Sequence, residues 1–254
     1  MVHWNLLATL LLVAQEPPRA APAERPNSPA FREPAAAIVP VNQNIWIDTN
    51  PKARRVLVRA YVCRQRAPLE EFMCRKDSKE HESVLAVELD PKSLQAALIA
   101  AELKPGSPAR YDGEKFHPPS GEQLEITVEW KQDGVFKKAR AQDWIRDFKT
   151  QKAITHEFVF AGSEIVEDPQ TKQKRFLGDG GDLVSVANFP GSIVDLAVHS
   201  SNTNDSLLFE AFTERIPPQD TEVIVVVRKS QPKPGGAAAD APQPAKAARS
   251  DRTK

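Results

Sequence analysis

The sequence predicts an α+β fold: a mainly antiparallel β-sheet of hairpins, two short helices packed on it, and disordered segments at both ends. Three observations carry that expectation. Short runs rich in β-branched and aromatic residues recur between turn signals. Only two stretches place apolar residues at helical spacing, and they are scattered among the strands instead of alternating with them. Proline is abundant, at 22 of 254 residues, and is densest at the two ends, outside the range 35–229 that reads as one domain.

Taken in order, Ile45-Trp46-Ile47-Asp48 reads as a strand, turned by Asn50-Pro51-Lys52. Residues 56–63 (VLVRAYVC) form a second strand and 83–89 (SVLAVEL) a third. Between them, CRQRAPLEEFMCRKDSKEHES reads as a hairpin turning about Pro68-Leu69. The first helix is the best-signposted element. Asp90 is an N-cap candidate, and Pro91 stands at the first helical position, where its missing N–H costs nothing. Leu94, Ala97, Leu98 and Ala101 then make one apolar face, and Lys104-Pro105-Gly106 stops the helix.

Residues 123–145 read as a hairpin about Asp133-Gly134. That turn places Glu129 opposite Lys138 and Trp130 opposite Lys137, and sets Leu124, Ile126, Val128 and Trp130 on one face. Residues 156–166 (HEFVFAGSEIV) are a further strand pattern, turned by Asp168-Pro169-Gln170. The glycine cluster LGDGGD leads into LVSVANFPG and SIVDLAV; its glycines fit a tight turn with positive φ. A short second helix is expected, capped by Asn204 or Asp205, with Leu207, Leu208, Ala211 and Phe212 as its stripe and Pro217-Pro218 as its end. Residues 221–228 (TEVIVVVR) close the domain as a strand apolar enough to be central.

The two ends have a different character. Residues 6–14 form an apolar run, interrupted only by Thr9, that suits the core of a secretory signal and is too short to span a bilayer. Cleavage after Ala14 or Gln15 makes 1–15 a signal peptide, 16–34 a Pro/Ala-rich linker, 35–229 the domain and 230–254 a disordered tail with a modest basic excess. An exported protein, periplasmic or secreted, with no transmembrane segment is therefore expected. Charge is balanced, with 34 basic and 34 acidic side chains, which argues against nucleic acid as a partner.

The chemistry-bearing residues are few. In a hairpin turning about Pro68-Leu69, Cys63 and Cys74 stand directly opposite, within disulfide reach. Two cysteines in an exported chain favour a structural disulfide; two free thiols or a redox-active pair are the alternatives. The spacing is far longer than the Cys-x-x-Cys of redox pairs. His81-Glu82 and His156-Glu157 each lack the second histidine of a zinc-hydrolase helix. His81, Glu82, His156, Asp179 and Asp182 would have to converge in space to make a mixed nitrogen–oxygen site for a divalent metal. Ordinary surface histidines are the simpler reading. Phosphate-binding and serine-nucleophile motifs do not occur.

Several strings together resemble the YdjY-domain proteins, an exported bacterial family. They are Pro68-Leu69-Glu70 with Cys74, Lys79-Glu80-His81-Glu82-Ser83, Ala96-Ala97-Leu98 through Lys104-Pro105-Gly106, ARAQDWI, HEFVFAGS, GDGGDLVSVANFPG and LLFEAFTERIPP. The resemblance covers nearly all of 35–229. It implies export and a single domain, and it supplies no substrate or catalytic residue to carry over. Two cysteines cannot hold an iron–sulfur cluster that needs four ligands. The expectation is thus a non-enzymatic binding or cell-envelope-associated module that needs no cofactor and meets an envelope component or small ligand. The alternative is a metal-dependent enzyme or metal-binding protein using the His/Asp/Glu set.

Overall fold

The structure is a computed structural model that describes residues 37–113, 115–200 and 207–231. Its first strands are β1 (Ile38–Asn42), β2 (Ile45–Asp48), β3 (Arg55–Val62), β4 (Glu71–Arg75) and β5 (Ser83–Val87). Helix α1 (Pro91–Ala100) follows, then β6 (Pro105–Ser107), β7 (Arg110–Asp112), β8 (Lys115–His117), β9 (Ser120–Gln132) and β10 (Val135–Arg140). The remaining strands are β11 (Ile145–Asp147), β12 (Phe158–Phe160), β13 (Ile165–Glu167), β14 (Lys174–Phe176), β15 (Asp182–Ser185), β16 (Asp195–Leu196), β17 (Phe209–Ala211) and β18 (Glu222–Lys229).

One large mixed sheet runs β15-β4-β5-β3-β18-β9-β12-β16. Its two ends meet: Val184 bridges Val194 in parallel, and the Ser185 N–H donates to the Val194 carbonyl at 2.9 Å. The sheet therefore curls into a barrel-like wall, which removes exposed edges along this path. Strands β1 and β2 extend it beside β3, and β10 beside β9. Alternation along the long strands aims Val56, Val58 and Val62 of β3, Leu124, Ile126 and Val128 of β9, and Val223, Val225 and Val227 of β18 into one core. Trp144 is fully buried there, edge-on to Trp130 at 5.2 Å.

The local readings hold where neighbours in sequence decide them. Asp90 caps α1 by accepting from the Lys92 N–H at 3.1 Å, and Leu94, Ala97 and Leu98 are buried. In the β9–β10 hairpin Glu129 pairs with Lys138 and Trp130 with Lys137, as expected. A Glu129–Lys138 salt bridge at 3.1 Å joins the first pair. Gly181 adopts φ 103° at the end of a 3-10 turn, Leu177–Gly180.

Two expectations are corrected. Among the described residues there is one α-helix, not two. Phe209–Ala211 is strand β17, paired with β11, with Phe209 and Ala211 buried and Glu210 ion-paired to Arg146 at 2.7 Å. The apolar spacing there satisfies a period of two as well as a helical one, and pairing with β11 decides between them. The proposed cap residues Asn204 and Asp205 lie outside the described residues.

The sheet is also not only hairpins. Strands β3 and β4 do not pair about Pro68-Leu69; β5 inserts between them, antiparallel to β3 and parallel to β4. Residues 67–69 instead run beside β17, where the Leu69 N–H donates to the Phe209 carbonyl and Pro68 bridges Glu210.

Candidate functional site

The parallel pairing of β4 and β5 forces an unusual connection. Parallel neighbours normally need a crossover of a dozen residues or more, and here residues 76–82 alone make the return. They are pinned at both ends, by the Lys76 N–H on the Val87 carbonyl and by the Glu70 N–H on the Glu82 carbonyl. Asp77 takes a left-handed φ of 62°, and Glu80–Glu82 coil into one 3-10 turn. This crossover carries Ser78, Lys79, Glu80, His81 and Glu82, and its Glu80–Glu82 turn packs beside strands β4 and β5.

Lys79 is its anchor. Its Nζ lies 2.9 Å from Glu70 and 2.9 Å from Asp182 at the start of β15, and 3.4 Å from the centre of the Phe189 ring. Burial opposes the ammonium charge, but the surrounding carboxylates outweigh it and hold the Lys79 pKa above the ordinary lysine range. Glu82 is raised by burial and then by the negative charge of Glu70, to which it hydrogen-bonds. Tyr61 of β3 ties the same crossover down by donating to the Glu80 carboxylate at 2.6 Å.

Cys63 and Cys74 are buried in one small cluster with Ala86, with Tyr61 packed against it. The Cys63 thiol donates to the Ser83 carbonyl at 3.1 Å. Its interaction with the Cys74 sulfur, and then burial, push the Cys63 thiol up, while the same interaction favours the thiolate at Cys74. The thiols are free in this structure. The hairpin register that was to bring them opposite does not exist: strand β5 runs between the strands that carry them, and they are not at disulfide distance.

A second polar group is wholly inside. The Ser192 hydroxyl donates to the Ser185 hydroxyl at 2.7 Å, and Ser185 in turn reaches both carboxylate oxygens of Glu71 at 3.0 and 2.9 Å. Burial raises Glu71 well above the carboxylate range, and the charge of Asp182 adds to it. Nearby, Asp195 is also raised well above its range by burial; it accepts from the Asn188 amide at 3.1 Å and from the Leu196 N–H at 2.8 Å. These side chains have no solvent access, so they clamp the chain between β15 and β16. Gly191 packs against the Asp182 carboxylate and the Leu177 carbonyl, where a Cβ would not fit.

Beside the crossover opens a cleft of about 570 Å³, walled by Asn42, Gln43, Arg75, Lys76, Asp77 and Glu88, with the start of α1 at Asp90. The Arg75 Nε is buried there without a hydrogen-bond partner among the described residues. Lys76 is 3.8 Å from Glu88, and the Asp90 carboxylate is engaged in capping.

The five candidate metal ligands are not gathered. Glu82 and Asp182 belong to the Lys79 group, and His81, 66 % exposed, sits 3.6 Å from Glu82. His156 is elsewhere, edge-on to Phe209, with its carbonyl accepting from Gln142. Asp179 pairs with Lys92 on α1 at 3.0 Å. Among the described residues no three His, Cys, Asp or Glu side chains make a ligand set. Sequence reasoning gave no functional role to Lys79, Glu70, Glu71, Ser185 or Asp195. The available signal was an acidic residue inside an apolar strand run, Glu71 in LEEFMC and Asp195 in SIVDLAV.

Comparison with curated proteins and with solved structures finds no match. The model of the YdjY domain matches residues 45–228, from β2 to β18, and so includes the crossover, the thiols and the buried carboxylates. The match spans most of the sequence, and the chain belongs to the YdjY-domain family.

Proposed function

We propose that this chain is an exported, non-enzymatic binding module of the cell envelope, and that its ligand is a small polar molecule carrying both signs of charge. The observation that carries this reading is Arg75, whose Nε is buried without a partner at the wall of the 570 Å³ cleft. A buried donor left unpaired is costly, and a ligand carboxylate would satisfy it in the geometry a guanidinium favours. Asp77, on the same wall, offers an acceptor for an ammonium group. Buried apolar side chains make up the core, and the cleft lies outside it, on the side of Arg75 and Asp77. Export is supported by the apolar run at residues 6–14.

Titration calorimetry of the full chain with a panel of di- and tripeptides tests the binding reading. Saturable binding that weakens roughly tenfold or more in Arg75→Met is expected, since a hydrogen bond to a charged group contributes on that order. Absence of binding across the panel, or equal binding by Arg75→Met, overturns it. The mass of the chain recovered after expression tests export: cleavage near Ala14 or Gln15 supports it, and an uncleaved cytosolic chain refutes it.

A further inference from the structure

The wall closes along its main path, but strands β1 and β10, added beside it, each pair on one side only. In β1, Pro40 and a register shift between Pro40 and Asn42 interrupt the ladder and guard that edge. Strand β10 contains no proline and keeps one register with β9 throughout. Its turn, Asp133-Gly134, has φ of 51° and 79°, the two positive values of a type I′ hairpin whose flanking residues, Gln132 and Val135, share hydrogen bonds. Alternation then turns the N–H and C=O of Lys137 and Ala139 towards β9, and those of Phe136 and Lys138 away from it. Neither of these outward N–H groups has a partner among the described residues. Val135 and Phe136, both apolar, are 60 % and 39 % exposed on the same strand.

Charge selects what can pair there. On this hairpin Lys131, Lys137, Lys138 and Arg140 outnumber Glu129 and Asp133, and Lys138 already neutralises Glu129 at 3.1 Å. Lys137 donates to the uncharged Gln132 amide oxygen at 3.0 Å, and Lys131 lies 5.8 Å from the centre of the Phe136 ring. A second copy pairing through β10 would bring like charges together across the new ladder, which is destabilising. The chain's own tail, 230–254, has a basic excess and is equally unsuited. We propose that β10 accepts an extended acidic segment of a partner protein as an added strand. Main-chain pairing with Phe136 and Lys138 supplies the affinity, and carboxylates set beside Lys137 and Lys138 supply the selectivity. Phe136 also borders a cleft of about 330 Å³ with Trp130, Val223 and Ile224, which offers an apolar side chain of the segment a place. This cleft shares no residue with the one at Arg75.

The probe is a fluorescein-labelled heptapeptide of alternating glutamate and valine, with its lysine-for-glutamate counterpart as control, titrated with the full chain by fluorescence anisotropy. Saturable binding of the acidic peptide, roughly tenfold or more tighter than that of the basic one, is expected. Lys138→Pro removes an outward N–H at an edge position that tolerates proline, and Lys138→Ala removes the same side chain alone. The proline variant should bind roughly tenfold more weakly than the alanine variant. Amide exchange of the isotope-labelled chain, followed by NMR, locates the contact without any substitution and decides alone if the proline variant does not fold. Phe136 and Lys138 should exchange quickly in the free chain and slowly with saturating acidic peptide, while Lys137 is slow in both. No saturable binding, equal binding of the two peptides, or binding that leaves exchange at Phe136 and Lys138 unchanged overturns the proposal. A dimer seen in sedimentation and lost in Lys138→Pro would give the edge to a second copy and overturn it as well. These two amides report on β10, whatever binds beside Arg75.

Discussion

Ser185 donates its hydroxyl to Glu71 across 114 positions of sequence, and both residues are completely buried. The contact joins β4 to β15, and Ser185 also takes part in the seam where the wall of strands closes, through its N–H on the Val194 carbonyl. It also puts an ionisable group where its charged form is costly, which makes the seam sensitive to pH.

Glu71 is raised on folding from an ordinary value of 4.5. Between the unfolded and folded values the native state holds a proton that the unfolded chain has released. Its contribution is therefore full below the unfolded value and is lost as pH rises towards the folded one. Glu71→Gln keeps the shape and a hydrogen bond but cannot ionise. Its stability relative to the parent should climb with pH above 4.5, by at most about 1.4 kcal/mol per pH unit. Urea unfolding of both chains at several pH values measures this, and a difference that is flat with pH would refute it.

Lys79→Met removes the cation shared by Glu70 and Asp182 and leaves two partly buried carboxylates facing one another. A loss of roughly 3 kcal/mol is expected, from the uncompensated charge rather than the lost bridge. Calorimetric unfolding would show it, and a double variant with Asp182→Asn should recover part of the loss.

Asp90→Ala deletes the side-chain acceptor of the Lys92 N–H at the start of α1. Such a cap contributes about 1 kcal/mol. Asp90→Asn should retain most of it, and equal losses in both variants would mean that the carboxylate charge matters more than the cap.

Gly121 stands at φ 147°, and a Cβ there would run into the Phe160 carbonyl of β12. Gly121→Ala thus combines backbone strain with a clash against an unyielding main chain. A loss of roughly 3 kcal/mol or more, or failure to fold, is expected. Near-parental stability measured by denaturant would show that β9 and β12 can separate without cost.

Much of this molecule is legible locally. The cap of α1, the register of the β9–β10 hairpin and the strand pattern of β18 depend on residues within a few positions of one another. A helical or alternating period and a turn dipeptide are enough to specify them. The misreadings share one cause. Residues 207–212 fit a helix and a strand equally until β11 supplies a partner. Residues 63–74 read as a hairpin until β5 takes the place beside β3.

By itself, then, the sequence determined several of the long strands, the first helix, the membership of a family and the chemical poverty of the chain in catalytic motifs. Only the tertiary structure decided that β5 runs between the two cysteine strands, that residues 76–82 make the short return between parallel strands, and that Lys79 collects Glu70 and Asp182. Local conformation follows from steric preferences of adjacent residues, whereas strand partners are selected by which pairing buries the most apolar surface across the whole chain. Here that selection paired β4 with β15, bringing Glu71 to Ser185, and set β5 between the strands of Cys63 and Cys74.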